Sequence, residues 1–186
     1  MNAVGIRVRM VSVCCFAIAA LVRADTPSET NQSTSDEKNL AGAFVQDFYD
    51  WYAPMAYRQK TSLPWANAIT LKSNLFSTKL ALALRRDQFT FAKPDGTYTE
   101  LEIDPFMNTD SPCERYVISE VIEYDKSWRV GMLGVCNGKL RPKIVIQAEV
   151  TKKKDHWLFT NFYYPEGKNI FEMLKELRKT RRSDLE

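Results

Sequence analysis

Residues 143–151 read KIVIQAEVT, and this stretch decides the fold class. Ile144, Ile146, Ala148 and Val150 alternate with residues that are all polar except Val145, which is the period of a β-strand with one buried face and one face in water. A charged turn (KKKD, 152–155) and a second strand (HWLFTNFYY, 156–164) follow. Upstream, Asn137-Gly138 is a strong hairpin signal, because both residues tolerate positive φ. Consecutive hairpins predict an antiparallel sheet rather than a βαβ crossover.

Two further strands are predicted upstream, over residues 116–124 and 129–136. Apolar residues at three- and four-residue spacing between Leu40 and Met55 predict a first helix that is capped by Thr34 with Glu37 and limited near Pro54. A second helix is predicted over 75–86, with Ser77 as its cap, and Asn169 with Glu172 predicts the start of a C-terminal helix. The chain is therefore expected to be α+β, with N-terminal helices packed on a four-stranded antiparallel sheet and a C-terminal helix.

The N-terminus has the layout of a secretory signal peptide. Arg7 and Arg9 precede an apolar run over 10–22, and cleavage is predicted between Ala24 and Asp25. The run is shorter than the ~20 residues that a membrane-spanning helix needs. Cys14 and Cys15 lie inside it without a convincing lipobox, so we expect no lipid anchor. The predicted organisation is a signal peptide over 1–24, a flexible linker over 25–35, one domain over 36–180 and a charged tail over 181–186, in an exported protein that is periplasmic or secreted.

Composition argues for an ordinary globular domain and against nucleic-acid binding. Of the 186 residues, 45% are hydrophobic and 26% are charged, which is the balance of a folded protein. The formal charge of +3 comes from Arg7, Arg9 and Arg23, because every acidic residue follows the predicted cleavage site. The mature chain is then electrically neutral, which does not suit a nucleic-acid partner.

Cleavage would leave two cysteines, Cys113 and Cys136. In an oxidising compartment such a pair usually forms a disulfide; the alternative is two separate buried thiols. The single histidine, His156, leaves too few ligands of recognisable spacing for a zinc site. We expect no metal and no cofactor.

Two carboxylates are candidates for proton transfer. Glu120 interrupts the apolar face formed by Tyr116, Ile118, Ile122 and Tyr124, and Asp104 lies in a proline-containing loop. A carboxylate in an apolar pocket has its pKa raised, and a tyrosine phenol can stabilise an oxyanion beside it. The alternative for Glu120 is an open sheet edge or an ion pair. No nucleophile-elbow, zinc-protease or phosphate-loop motif is present.

Aromatic residues Tyr49, Trp51 and Tyr52 lie on or near the apolar stripe of the first helix, and Tyr116 begins the first strand. These four residues are candidates for the lining of a ligand pocket. Core packing is the favoured interpretation of the stripe, because large aromatics dominate protein cores.

The order of several landmarks resembles a bacterial envelope family known as domain of unknown function 3828. These landmarks are FYDWY at 48–52, Asp104-Pro105-Phe106, and WLFTNFYY at 157–164 followed by Pro165-Glu166-Gly167 and a leucine-bearing helix. The resemblance covers residues 40–178. It implies an architecture similar to the nuclear transport factor 2-like superfamily, in which helices pack on a strongly curved sheet to form a cone. It supplies no catalytic residue, and a fold alone does not decide function.

We therefore expect an exported, non-enzymatic module that binds a small apolar ligand or an envelope protein partner, by burial among aromatic side chains or by docking through the sheet face. A homodimer is compatible with this expectation. The alternatives are a small proton-transfer enzyme that uses Glu120 or Asp104, and an immunity-type inhibitor of a secreted toxin.

Overall fold

The computed structural model describes residues 29–58, 63–89, 101 and 103–183. In chain order its elements are α1 (Glu29–Arg58), α2 (Pro64–Leu71), a 3₁₀ turn (Ser73–Leu75), α3 (Thr78–Phe89), β1 (Arg115–Tyr124), β2 (Ser127–Cys136), β3 (Lys139–Lys153), β4 (His156–Tyr163) and α4 (Ile170–Ser183). The predicted α+β class is confirmed: helices precede a four-stranded antiparallel sheet, and a helix follows it.

The sheet is a simple meander with the strand order β1-β2-β3-β4. The predicted Asn137-Gly138 hairpin is confirmed, with φ values of 52° and 71°. The carboxylate of Glu114 accepts hydrogen bonds from the backbone N–H groups of Asn137 (3.0 Å) and Gly138 (2.7 Å). Positive φ at both turn residues allows the tight turn, as the sequence predicts, and Glu114 from the segment before β1 stabilises it.

α1 packs against one face of the sheet, which we call the inner face. This face carries the buried side chains Val130, Met132, Ile146, Ala148, Val150, Phe159 and Phe162. Phe48 of α1 lies at the centre of the resulting core, and its ring centroid is 4.8 Å from that of Phe159 and 5.7 Å from that of Phe106. Aromatic side chains thus fill the space between helix and sheet.

α1 is longer than predicted at both ends. It begins at Glu29, so it extends through part of the segment that was predicted to be a linker, and Thr34 lies inside it rather than at its cap. Pro54 also lies inside the helix, which continues to Arg58. Extending a nucleated helix costs little, and burial of Ala53 and Ala56 holds the last turns against the core. Leu40, predicted to be on the apolar face, is 52% exposed.

The predicted caps of the later helices are present. The backbone N–H of Leu80 donates to Ser77 Oγ (3.3 Å) at the start of α3. At α4, Asn169 Oδ1 accepts from the N–H groups of Phe171 (3.0 Å) and Glu172 (3.2 Å), and Glu172 Oε2 accepts from the N–H of Asn169 (2.9 Å). This reciprocal pair is a capping box, which fixes where α4 begins.

Both edges of the sheet have partners outside the sheet. On β1, the amide of Gln46 donates to the carbonyl of Tyr116 (2.9 Å) and accepts from the N–H of Ile118 (3.2 Å). On β4, the N–H of Ser77 donates to the carbonyl of Phe159 (2.8 Å), beside a bridge between Phe76 and Phe159. Segments from the N-terminal half of the chain therefore cover parts of both edge strands.

The predicted signal peptide over 1–24, its cleavage site between Ala24 and Asp25, and residues 184–186 of the predicted tail lie outside the residues whose structure is described, whereas 181–183 form the end of α4. These assignments stay predictions. Among the described helices, none is long and apolar enough to cross a membrane.

Candidate functional site

Asp104 organises the loop that leads into β1. Its Oδ1 accepts from the N–H of Phe106 (2.8 Å), and its backbone carbonyl accepts from the N–H of Asn108 (2.8 Å). The N–H of Asp104 in turn donates to the carbonyl of Thr109 (2.9 Å). Aspartate commonly bonds its own backbone two residues on, and proline after it removes a competing donor. The Asp104-Pro105-Phe106 motif therefore builds a tight, self-bonded loop.

Three tyrosine hydroxyls hold this loop from the protein interior. The hydroxyl of Tyr52 donates to Asp104 Oδ2, that of Tyr49 donates to the carbonyl of Phe106 (2.6 Å), and that of Tyr164 donates to the carbonyl of Pro105 (3.1 Å). Burial raises the pKa of all three phenols above the usual value, and the nearby Asp104 carboxylate raises it further. The tyrosines are therefore neutral donors at ordinary pH.

A cleft of about 730 Å³ opens beside Asp104, and we call it the Asp104 cleft. It lies between the end of α1, the start of α2 and the loop before β1. Its lining consists of Ala56, Tyr57, Arg58, Leu63, Pro64, Trp65, Leu101, Ile103, Asp104, Thr109, Asp110, Ser111 and Pro112. Its volume falls within the range of about 300–1,000 Å³ that is typical of small-molecule sites.

Trp65 in the lining of the cleft has an unsatisfied polar atom. Its side chain is only 2% exposed, and its buried indole Nε1 has no hydrogen-bond partner among the described residues. A buried donor without an acceptor costs about 1–3 kcal/mol, and such groups are rare in native proteins. The sequence pattern does not distinguish Trp65 as a site residue, because its position beside Asp104 depends on tertiary packing. Pro64 before it, at the first turn of a helix, was the only local signal.

Burial raises the pKa of the Asp104 carboxyl from 3.8 to about 6, although hydrogen bonds from Tyr52 and from the backbone of Phe106 and Met107 lower it. Asp104 is therefore an acid that titrates close to neutral pH. Both of its carboxylate oxygens already accept hydrogen bonds from the protein. This arrangement suits a loop anchor as well as a proton acceptor.

The raised pKa of Asp104 predicts how the stability of the protein changes with pH. Between about pH 4 and pH 6 the folded state keeps the Asp104 proton and the unfolded state releases it, so this group's contribution to stability falls as the pH rises and levels off above pH 6. In the Asp104→Asn variant this contribution is absent. Urea unfolding of both proteins at several pH values should show that the difference in unfolding free energy, wild type minus variant, decreases across this window. A constant difference would contradict the raised pKa.

The aromatic residues predicted to line a pocket are distributed differently. Tyr49, Tyr52 and Tyr116 are fully buried in the core, and none of them lines the Asp104 cleft. Trp51 is half-buried outside that cleft, with the Lys72 ammonium 5.3 Å from its ring centroid. The three tyrosines belong to the hydrophobic core, and Trp51 packs against it.

Glu120 does not share a face with Tyr116 as the sequence pattern suggested. A β-bulge between Ile118 and Glu120 shifts the register by one residue, and this moves the side chains that follow to the other face. Ile118 and Val121 both face α1, since a Cβ on Gly42 would lie 3.4 Å and 3.3 Å from their side chains. Glu120 lies on the opposite, outer face, where it accepts a hydrogen bond from Gln147 Nε2 (3.2 Å). It lines none of the clefts described in the structure.

Cys113 and Cys136 lie at disulfide distance, with their Cα atoms 4.6 Å apart. A Cβ on Gly134 would lie 2.8 Å from Cys113 Sγ, so a glycine at this position allows the close approach. The pair fixes the start of β1 to the end of β2. It thereby also holds the end of the loop that borders the Asp104 cleft.

Within the described part of the chain, no group of three or more His, Cys, Asp or Glu side chains is arranged to hold a metal ion.

A scan against protein-family models found no match for this chain, and searches of curated proteins and of solved structures found no similar protein. The resemblance to domain of unknown function 3828 therefore stays a prediction, as does the nuclear transport factor 2-like cone.

Proposed function

We propose that this protein is an exported, non-enzymatic binding module that takes a small molecule in the Asp104 cleft. The observation that supports this most directly is that Trp65 lines the cleft while its buried Nε1, a hydrogen-bond donor, has no acceptor among the residues that the structure describes. A small turn of the Trp65 side chain that brings Nε1 to a carbonyl, carboxylate or hydroxyl oxygen of a ligand would satisfy that donor and offset the cost of leaving it unpaired.

The rest of the lining suits a ligand of mixed character. Leu63, Pro64 and Leu101 offer an apolar wall, and Thr109 and Ser111 offer hydroxyl groups. Small-molecule sites typically combine apolar walls with a few polar groups that fix orientation. The ligand that fits this cleft is therefore an amphiphilic small molecule, somewhat more polar than the apolar ligand expected from the sequence.

The cysteine pair supports export. Disulfides persist in oxidising compartments, and Cys113 and Cys136 are placed to form one. This agrees with the predicted signal peptide, which lies outside the described residues.

One observation favours a second candidate function, proton transfer. Asp104 lines the cleft and titrates near pH 6. Against it, Asp104 already binds Tyr52 and the backbone of its own loop. The other carboxylate candidate, Glu120, lies on the open outer face of the sheet. Proton transfer by Glu120 would instead need this carboxylate in a closed pocket with a tyrosine nearby. Binding without chemistry therefore accounts for more of the geometry.

Native mass spectrometry tests the proposal on protein purified from the compartment to which it is exported. We expect the wild type to carry a small-molecule mass, and Trp65→Phe, which removes the donor but keeps an aromatic ring, to retain at least tenfold less of it. Trp51→Phe is the matched control, because Trp51 does not line the cleft, and it should retain the wild-type amount. A wild type without any bound small molecule, or equal retention by both variants, would overturn the proposal.

A further inference from the structure

The outer face of the sheet carries two neighbouring rows of side chains. Cross-strand partners in an antiparallel sheet project to the same face. One row consists of Glu120, Gly131, Gln147 and Tyr163, and the next consists of Ile122, Arg129, Glu149 and Asn161. Lysine is absent from both rows, while tyrosine and arginine, the residue types that dominate binding hot spots, are present.

Arg129 is held rigidly in the middle of this face. Its guanidinium carbon lies 3.7 Å from the ring centroid of Tyr124 and 4.0 Å from that of Tyr163. Its Nε lies 3.7 Å from Glu149 Oε2, and Glu149 is fixed by the hydroxyls of Thr160 and Tyr163, each 2.8 Å away. A side chain that is already ordered loses little entropy on binding.

Arg129 nevertheless has N–H groups that are available for a further hydrogen bond. It forms an ion pair with Glu149, but it donates no hydrogen bond to any residue that the structure describes. A guanidinium has five N–H groups in a planar fork, which suits a carboxylate.

Glu120, one row away, is the matching acceptor. Its described hydrogen bond is with the neutral amide of Gln147, and no cation of the described chain pairs with it. Gly131 lies between Glu120 and Gln147, and a Cβ there would lie 3.0 Å from Glu120 Cγ. The glycine therefore lets the carboxylate lie flat across β2, where it is accessible from outside.

We propose that the outer face is an interface between two copies of this chain, in which Arg129 of each copy binds Glu120 of the other. A two-fold contact is self-complementary, because residue i meets residue j while j meets i. One face that offers both a guanidinium able to bridge a second carboxylate and a carboxylate without a described cation partner, in adjacent rows, fits this symmetry. A partner of a different sequence would need to supply both complementary charges independently.

The area of the outer face is also suitable for an interface between two copies of this chain. Four strands about 4.8 Å apart and about 34 Å long present roughly 700 Å², close to the ~800 Å² that each partner contributes to a stable interface. Apolar area is also available, since Ile122 is 48% exposed and Tyr124 is 54% exposed. None of these residues lines the Asp104 cleft, so the interface is independent of the proposed ligand site.

The oligomeric state in solution tests this proposal. In sedimentation equilibrium, the wild-type mature chain should show twice the chain mass. Glu120→Arg and Arg129→Glu should each weaken self-association at least tenfold, because each places like charges opposite one another. Mixing the two variants should restore a one-to-one heterodimer, since each then supplies the charge that the other needs. A wild type that stays monomeric up to its highest soluble concentration would overturn the proposal, as would two folded variants that do not pair when mixed.

A second pair of variants covers the possibility that Arg129→Glu fails to fold beside Glu149. Ile122→Glu places a charge on the outer face without touching the core and should weaken the dimer at least tenfold. Leu82→Glu is the control, because Leu82 is also an exposed apolar residue (58%) but lies on α3; it should leave the dimer unchanged. Equal effects of both variants would contradict the proposed face, and a wild-type complex with an unrelated protein alone would assign the face to a different partner.

Discussion

Replacing Phe48 with alanine is expected to lower the free energy of unfolding by about 3–5 kcal/mol, the usual cost of deleting a large buried aromatic ring. Phe48 is 2% exposed, and its ring centroid lies between 4.8 and 6.0 Å from those of six other aromatic residues. These partners come from α1, β4 and the segments around Phe76 and Phe106. The cavity would therefore open where several parts of the fold meet, and few neighbours could collapse into it.

Guanidinium unfolding measures this loss as a lower transition midpoint. Leu82→Ala is the control, because this leucine is 58% exposed and an exposed substitution usually changes stability by less than about 0.5 kcal/mol. A loss below about 1 kcal/mol for Phe48→Ala would contradict the central position of this ring.

Removing the cysteine pair should have the next largest effect. The double variant Cys113→Ala/Cys136→Ala releases a cross-link across 23 residues of sequence, and loop entropy predicts a loss of about 3 kcal/mol. The bond joins the start of β1 to the end of β2, so its removal also frees the loop before β1. We expect a lower unfolding midpoint for the variant under oxidising conditions.

A reducing agent provides the control for this comparison. It should lower the unfolding midpoint of the wild type toward that of the double variant, and it should leave the double variant unchanged. Thiol titration of the unfolded, unreduced mature chain should find no free cysteine. Two free thiols in that titration would show that the disulfide does not form.

Local signals in the sequence predicted the sheet well. The Asn137-Gly138 turn and the alternation in β3 depend on residues that are close in sequence, and the capping box at Asn169 and Glu172 depends on side chains three positions apart. The structure confirms all three. The conformational preferences of the turn residues, the alternation within one strand and the reciprocal cap are all set by neighbouring residues, so these signals can be read from the sequence alone.

Features that depend on distant partners were harder to predict. The bulge after Ile118 is a mismatch between β1 and β2, and it reversed the expected face of Glu120, Ile122 and Tyr124. The sequence alone shows an unbroken alternation with period two. In the strand, the extra residue at the bulge breaks that alternation. Pairing with the opposite strand decides where the register shifts.

The candidate site was predicted only in part. Asp104 was identified by its acid chemistry and its proline-containing loop, and its raised pKa follows from burial that the sequence could only suggest. Trp65 was missed, because an unpaired indole N–H exists only once α2 is packed beside that loop. Tyr49 and Tyr52, which were expected to line a pocket, instead donate hydrogen bonds to the Asp104 loop from the protein interior.

The contacts of Gln46 with β1 and of Ser77 with β4 limit how copies of this protein can associate. An edge strand with free backbone groups is a template on which further chains can add, one after another, into a fibre. Here a side-chain amide binds part of one edge, and the chain before α3 binds part of the other. Open-ended growth by strand addition is obstructed at both sides, so assembly through the face of the sheet would stop at a closed pair.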